Sequence, residues 1–406
     1  MKKDWQMKKI GEVCEIVNGG TPKTGIAEYW DGPHQWITPA EMGKRSSPYI
    51  SKTERTITDE GLKNSSARLL QPHSVIMSSR APIGHLAINT EPMATNQGCK
   101  GMTPGKLLEC KYLYYYLAAS IDLLNDLGTG ATFKELSGSK LKEVTIPIPP
   151  LAEQQRIVAI LDEAFAGIAT AKANTEKNLQ NARAIFESHL QSVFTQHGPG
   201  WVEKQLGDKA LLEIIDGDRG VNYPNGSDFQ EEGYCLFMNT KNVRPDGFEF
   251  ETTMFITEEK DRKLRQGKLK RDDVVLTTRG KIGNVGIYSD DIPFDNIRIN
   301  SGMLIFRPNK HALLPSFLFE MLRSEIVKNQ IRKQTTGAAQ PQLPIKTLVN
   351  FTIPLPTNIA DQAALVQKLR SFEPETKRLE SIYQQKLTSL DELKKSLLHR
   401  AFSGEL

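Results

Sequence analysis

Alternate steps of four and three from Leu161 meet Phe165, Ile168, Lys172, Thr175, Leu179, Ala182, Phe186, His189 and Val193, seven of the ten apolar. The same steps from Leu365 meet Leu369, Phe372, Thr376, Leu379, Tyr383, Lys386, Leu390, Leu393 and Leu397, eight of the ten apolar. Such a 4-3 alternation predicts two long helices with coiled-coil seams, since it keeps one narrow stripe facing a partner over many turns. Pro149 and Pro150 hold off the first helix, and residues 151–196 then run without proline and with a single glycine, Gly167. In the second, Pro374 removes an amide and crowds the preceding turn, which predicts a break or restart near Phe372.

Elsewhere the pattern is short-ranged. Residues 74–78, 274–278 and 303–306 are β-rich runs bounded by Gly, Pro, Asn and Asp, as strands are. Residues 111–127 and 315–333 read as helix. These pieces occur twice. Residues 5–11 (WQMKKIG) match 201–207 (WVEKQLG), and 15–19 (EIVNG) match 213–217 (EIIDG). Residues 75–84 (VIMSSRAPIG) match 274–283 (VVLTTRGKIG), and 146–149 (IPIP) match 353–356 (IPLP). With Asn96 to Pro104 against Asn300 to Pro308, 112–114 against 317–319, and 130–131 against 337–338, seven segments recur in one order. Their offset drifts only from 196 to 207, so a unit of about 200 residues is duplicated.

The fold class expected is α+β: two similar mixed α/β domains, 1–150 and 199–357, separated by long helices at 151–198 and 358–406. The simplest partner for each seam is the other helix, in an antiparallel, pseudo-twofold pair. Packing of each helix on its own domain, or dimerisation through the helices, is the alternative. At about 1.5 Å per residue, roughly 30 to 40 paired residues make a rod of about 45 to 60 Å, longer than the ~34–36 Å turn of B-DNA. The antiparallel arrangement also brings the chain ends near each other, so circular permutation should be tolerated.

Composition narrows the function. In 406 residues, 39% hydrophobic and 25% charged with a net charge of +4, there is apolar surface for real cores and no reason for disorder. No run approaches a membrane span and the N-terminus has no apolar leader, so a cytoplasmic protein is expected. Cys14, Cys99, Cys110 and Cys235 form no C-x-x-C pair, which fits a reducing compartment and no zinc site. Catalytic motifs are missing: there is no phosphate-binding G-x-x-x-x-G-K-[ST], no H-E-x-x-H and no [ND]-P-P-[FY]. The dense basic run of Arg262, Lys263, Arg265, Lys268, Lys270 and Arg271 reads as a solvated face, or at most a salt-dependent contact.

The duplication, the GTGATFKEL segment at 128–136, IPIPPLAEQQRI at 146–157 entering a long helix, and the closing AFSGEL resemble the specificity subunit of type I restriction-modification systems over essentially the whole chain. That resemblance implies two target-recognition domains, each reading one half of a bipartite double-stranded DNA target, with paired helices as a ruler. It implies no catalysis in this chain. Methyltransferase subunits, two of them, would dock on the helices and hold S-adenosylmethionine, and restriction subunits would join the full complex. Glu153, Gln154, Asp361 and Gln362 are the partner-binding residues it suggests. The second half departs from the pattern at 337–343 (GAAQPQL) and at 358–362 (NIADQ).

For DNA contact the strongest candidates on their own chemistry are Arg80 and Arg279, each following a strand and preceding a turn, since arginine binds guanine or phosphate with two prongs. The other reading is an arginine that braces a turn or pairs with a carboxylate. Thr129, Thr132, Lys134, Thr336 and Gln340 lie in small-residue loops suited to close backbone approach. Lys44, Arg45, Asn239, Lys241, Asn242 and Lys281 offer amide or ammonium donors to base edges or phosphates. Two other classes stay open: a self-contained nuclease or methyltransferase, for which no segment is left, and a coiled-coil adaptor that binds protein alone.

Overall fold

The computed structural model describes residues 5–45, 47–130, 134–195, 198–334 and 342–406. Contacts gather the chain into two units, Met1–Glu176 with Gln384–Leu406, and Lys177–Tyr383. Each unit takes one mixed domain and one half of each long helix, rather than a domain with the whole helix that follows it in sequence.

In the first unit the main sheet has the order Cys14–Asn18, Cys99–Pro104, Val75–Ser79, Ile83–Asn89 and Tyr49–Ile50. A second sheet joins Arg55–Ile57, Trp30–Ile37 and Met93–Thr95, and antiparallel and parallel pairings occur together. The second unit repeats the plan, with Leu212–Asp216, Met303–Pro308, Val274–Thr277 and Val285–Ile287 in one sheet and Phe255–Ile256, Cys235–Met238 and Ile297–Ile299 in another. Val75–Ser79 and Val274–Thr277 are buried at every position, which explains why their sequences are continuously apolar or small instead of alternating. Two recurrent segments pair with each other in each unit: Gln6–Lys9 with Thr145–Ile148, and Trp201–Gln205 with Thr352–Pro356. Prolines are tolerated there because each ribbon has only two strands.

The helices expected at 111–127 and 315–333 each end early at a serine. Cys110–Ala119 and Ile121–Leu127 meet at Ser120, and Pro315–Arg323 and Glu325–Gln334 meet at Ser324. Ser324 closes the turn through its hydroxyl, which donates to the Met321 carbonyl at 2.6 Å, the local competition that lowers serine's helix propensity.

The long helices run over Leu151–Thr195 and Ile359–Ser403. On the first, Leu161, Ile168, Thr175, Ala182 and Val193 are buried, and Phe165, Lys172, Leu179 and His189 half-buried, as the 4-3 spacing requires. The Phe186 side chain lies outside those described. On the second the spacing slips: Lys386, Phe372 and Leu393 are exposed, while Leu387 turns inward and Leu398 and Ala401 are buried. The break expected at Pro374 does not occur, and the helix passes through it. A proline removes one helical hydrogen bond, and here Leu369 and Thr376, both buried, hold the turns on either side.

The helix halves are antiparallel within each unit. In the first, Arg156 donates to the Leu406 carbonyl at 2.8 Å while Lys172 meets Asp391 at 2.6 Å. In the second, Arg183 meets Glu380 at 3.0 Å while the His189 ring packs tilted against Phe372, centroids 4.1 Å apart. Each core is closed by an aromatic near a helix C-terminus: Phe402 lies edge-on to Tyr112 and Tyr116, and Phe194 edge-on to Phe317.

Candidate nucleic-acid interface

Arg80 leaves the C-terminal end of the buried Val75–Ser79 strand, and four hydrogen bonds fix the two residues before it. The Ser78 hydroxyl donates to the Pro82 carbonyl at 2.7 Å and accepts from the His85 amide at 2.8 Å, which closes the loop after the arginine. The Ser79 amide donates to Gly98 at 2.7 Å, and the Ser79 carbonyl accepts from Leu136 at 2.9 Å. Asn96 shapes the neighbouring turn, its side-chain oxygen accepting from the Gly98 amide at 2.8 Å.

The second unit builds the same node with different residues. Thr277 donates to Lys281 at 2.6 Å and accepts from Asn284 at 3.0 Å. The Thr278 amide donates to Gly302 at 2.8 Å, its carbonyl accepts from Leu343 at 3.0 Å, and Asn300 accepts from Gly302 at 2.9 Å. Isolated β-bridges join Arg80 to Glu135 and Arg279 to Gln342. Gly19 and Gly217 complete the frame: a Cβ there would lie 1.9 Å from the Asn96 carbonyl oxygen and 2.2 Å from that of Asn300, so only glycine lets the strands come this close.

Both guanidinium groups are only partly covered. Arg80 is 3.9 Å from Glu135, too long for a hydrogen bond, and its side chain is 38% exposed. Among the described residues no carboxylate pairs with half-buried Arg279. Lys100, absent from the sequence-based candidates, sits beside Arg80 and Glu135 and is 6% exposed. Burial pulls its ammonium below the ordinary lysine value, against a smaller upward pull from Glu135. Its lysine identity within an apolar strand was the available signal. Arg219, in the second unit, is a further residue outside the sequence-based candidates: exposed in a loop, it pairs with Asp216 at 3.2 Å and donates to the Ser301 carbonyl beside Gly302.

Other candidates are placed around these nodes or away from them. Lys241 and Lys281 are exposed, and Thr240 approaches both Gly280 and Gly302, so Asn239, Lys241 and Lys281 fall on the Arg279 side of the second unit. Asn239 accepts from the Lys241 amide at 2.8 Å. Asn242 is a correction: it is buried, and its amide donates to the Glu249 and Thr252 carbonyls, so it anchors a turn and cannot reach a base. Thr129 and Lys134 are exposed, Thr129 exchanging backbone hydrogen bonds with Glu135. Thr132, Thr336 and Gln340 lie outside the described residues. Lys44 and Arg45 are exposed at the end of Pro39–Gly43, Lys44 facing Glu54 at 3.5 Å and Arg45 donating to the Tyr49 carbonyl.

The basic run of the second unit is largely neutralised. Arg262 and Lys263 pair with Glu258 and Glu259 one turn back, and Lys268 with buried Asp261. Arg271 donates to the Ser289 and Ile292 carbonyls.

Gln154 and Gln362 are also corrected. Both are completely buried, and each side chain ties the start of a long helix to the loop before a domain helix. Gln154 accepts from the Glu109 amide and donates to the Leu107 and Pro149 carbonyls, and Gln362 accepts from Leu314 and donates to Ala312 and Pro356. Neither has an atom left for a partner subunit. Glu153 holds Arg156 in a two-pronged pair, and Asp361 is exposed.

Comparison with known proteins shows the family. A family model described as the type I restriction modification DNA specificity domain matches residues 2–181 and again 199–389. The MjaIX type I restriction enzyme specificity subunit of Methanocaldococcus jannaschii is 29% identical over 430 residues, covering 100% of this chain and 94% of that protein. The EcoKI specificity subunit of Escherichia coli is 22% identical, covering 99% and 89%. Among solved structures, a chain from work on complex assembly and conformational transition of the type I R-M system superposes with a TM-score of 0.82 at 18% identity, covering 100% and 99%. The HsdS subunit of Thermoanaerobacter tengcongensis superposes with a TM-score of 0.60 at 19% identity, covering 100% and 98%.

Proposed function

Because the chain belongs to the type I restriction-modification DNA specificity family, with a copy of the domain in each half, we propose that its two units each read one half of a bipartite, asymmetric target in double-stranded DNA. It is a DNA sequence-recognition subunit of a restriction-modification complex. The observation that carries the finer reading is the node built twice on one hydrogen-bond frame, around Arg80 and around Arg279, with different flanking residues. One frame suits one task done twice, and different flanks suit different half-sites.

In this reading the long helices set the spacing between half-sites. Methyltransferase subunits dock on the assembled chain and supply S-adenosylmethionine chemistry on adenine, restriction subunits join them, and this chain itself catalyses nothing. No helix among the described residues is long and apolar enough to cross a membrane, in keeping with work on DNA.

The test is to map modified adenines in a host carrying the chain with its methyltransferase partner. Two different half-sites at a fixed gap are expected, and one heptad inserted into both helices should lengthen the gap. Modification that follows no bipartite motif would refute the reading and favour an adaptor that binds protein only.

A further inference from the structure

The duplication allows one site to be compared with itself. Two half-sites of different sequence differ in their bases and share the sugar-phosphate backbone. Among side chains with donors left over after folding, those kept in both units therefore point to the backbone, and those that differ point to the bases. Arg80 and Arg279 are kept, with the hydroxyl that closes the following loop, the Asn-shaped turn and the leucine whose amide meets the preceding carbonyl.

Strand register identifies what changed. Met77 pairs with Lys100 where Leu276 pairs with Leu304, and Arg80 bridges Glu135 where Arg279 bridges Gln342. Two neighbours thus differ together, Lys100 with Glu135 in one unit and Leu304 with Gln342 in the other. Over these three matched positions, Arg80, Lys100 and Glu135 sum to a single formal positive charge, as Arg279, Leu304 and Gln342 do. A bare charge conserved while its surroundings change is what a phosphate requires, whereas a guanine edge requires a particular donor pattern.

We propose that Arg80 and Arg279 are a duplicated phosphate clamp, each holding one backbone phosphate of its half-site, with base choice made by residues the two units do not share. The clamp rests on the reading of the chain as a DNA-recognition subunit. Neither guanidinium donates a hydrogen bond to a described residue, Arg80 keeping only its 3.9 Å approach to Glu135, so both have donors to offer. The two residues before each arginine are held by four hydrogen bonds, so a phosphate would meet a donor on a positioned strand end.

The test uses the complex of the full chain with its methyltransferase partner. Equilibrium binding is measured from 50 to 200 mM salt, on the duplex whose modified adenines have been mapped and on an unrelated duplex. Arg80→Gln and Arg279→Gln should each weaken both duplexes by a similar factor. Each should flatten the slope of log affinity against log salt by about 0.9, so the loss of affinity across that salt range shrinks by about 3.5-fold. The modified motif should stay the same. Arg80→Lys should keep the wild-type slope and motif, and it guards against a glutamine variant that fails to fold.

Charge compensation gives a second arm. Lys100→Leu should flatten the slope, Glu135→Gln should steepen it, and the pair together should fall between the two. A changed motif, a loss confined to the mapped duplex, or an unaltered slope would overturn the clamp. Failure of the wild-type complex to modify any bipartite motif would instead overturn the functional reading beneath it.

Discussion

Replacing Gln154 by Leu keeps the volume of a completely buried side chain and deletes its three hydrogen bonds, at 2.8, 2.9 and 2.9 Å. The Glu109 amide and the Leu107 and Pro149 carbonyls then lose their side-chain partner in an interior with little water to replace it. A buried unsatisfied group costs about 1–3 kcal/mol. Local relaxation recovers part of this, and a net loss on the order of 3–5 kcal/mol is expected, against total stabilities of about 5–15 kcal/mol for ordinary domains. Gln154→Glu is the sharper variant, since it retains the acceptor for Glu109 but turns a carboxylate oxygen toward two carbonyls. Burial would raise the pKa of that carboxyl in the folded state. The penalty is therefore greatest above the folded pKa and eases as pH falls through it, when a proton again supplies a donor. Urea unfolding gives the magnitude, and hydrogen exchange by mass spectrometry gives the place: protection should fall at the start of the first long helix and in Cys110–Ala119, with the second unit unchanged. Gln362→Leu should produce the mirror result. A stability change under about 0.5 kcal/mol, with weaker methyltransferase binding instead, would refute the buried-stitch account and return Gln154 to a docking role.

Gly19→Ala and Gly217→Ala each place a methyl group against a backbone carbonyl, at 1.9 and 2.2 Å, and should cost about 1–3 kcal/mol as a lowered melting temperature of the unit concerned. Asp261 is buried between Lys268 and Arg298; burial pushes its carboxyl up, but the two cations more than offset this and leave it below the usual 3.8. A depressed folded pKa contributes stability that is present above the unfolded value and lost as pH falls below about 3.8 toward the folded value, so acid unfolding of the second unit should steepen there. Asp261→Asn should remove that dependence and cost about 3–5 kcal/mol at neutral pH, because Arg298, 7% exposed, loses its counter-charge. Pro374→Ala restores a helical hydrogen bond inside Ile359–Ser403 and should stabilise the second unit by up to about 3 kcal/mol, read as a raised unfolding midpoint; a lowered midpoint would show that the proline shapes a needed bend.

How far the chain could be read depended on which physical signal each element carried. The first long helix announced its seam because every described 4-3 position from Leu161 to Val193 is at least half-buried. The second has one more apolar position on its stepping but several adjacent apolar pairs, such as Leu365 with Val366 and Leu397 with Leu398, and a fixed stepping rule cannot choose within a pair. It therefore selected Lys386, which is exposed, over Leu387, which is not. Internal repetition located the nodes around Arg80 and Arg279 with no knowledge of the fold, because a duplicated frame keeps the residues that build it.

Repetition alone could not separate building from contact. Gln154 and Gln362 repeat as faithfully as the arginines, and the resemblance suggests them for partner binding, yet both are fully enclosed. The glutamines stand at the entry to a helix, where loop carbonyls and amides arrive unpaired and a side chain with both donor and acceptor satisfies them. The arginines stand at a strand end with donors left over. Satisfaction of hydrogen-bonding capacity, which only the folded chain reveals, divides the two sets. By the same criterion Lys100 enters the site: a lysine 6% exposed with no ion-pair partner among the described residues, at a position where the other unit keeps leucine, is retained at a cost that packing alone does not explain. Offsetting the Glu135 charge beside Arg80 supplies the reason, and it makes the summed charge of these three matched positions, rather than the identity of the neighbours, what the two units share.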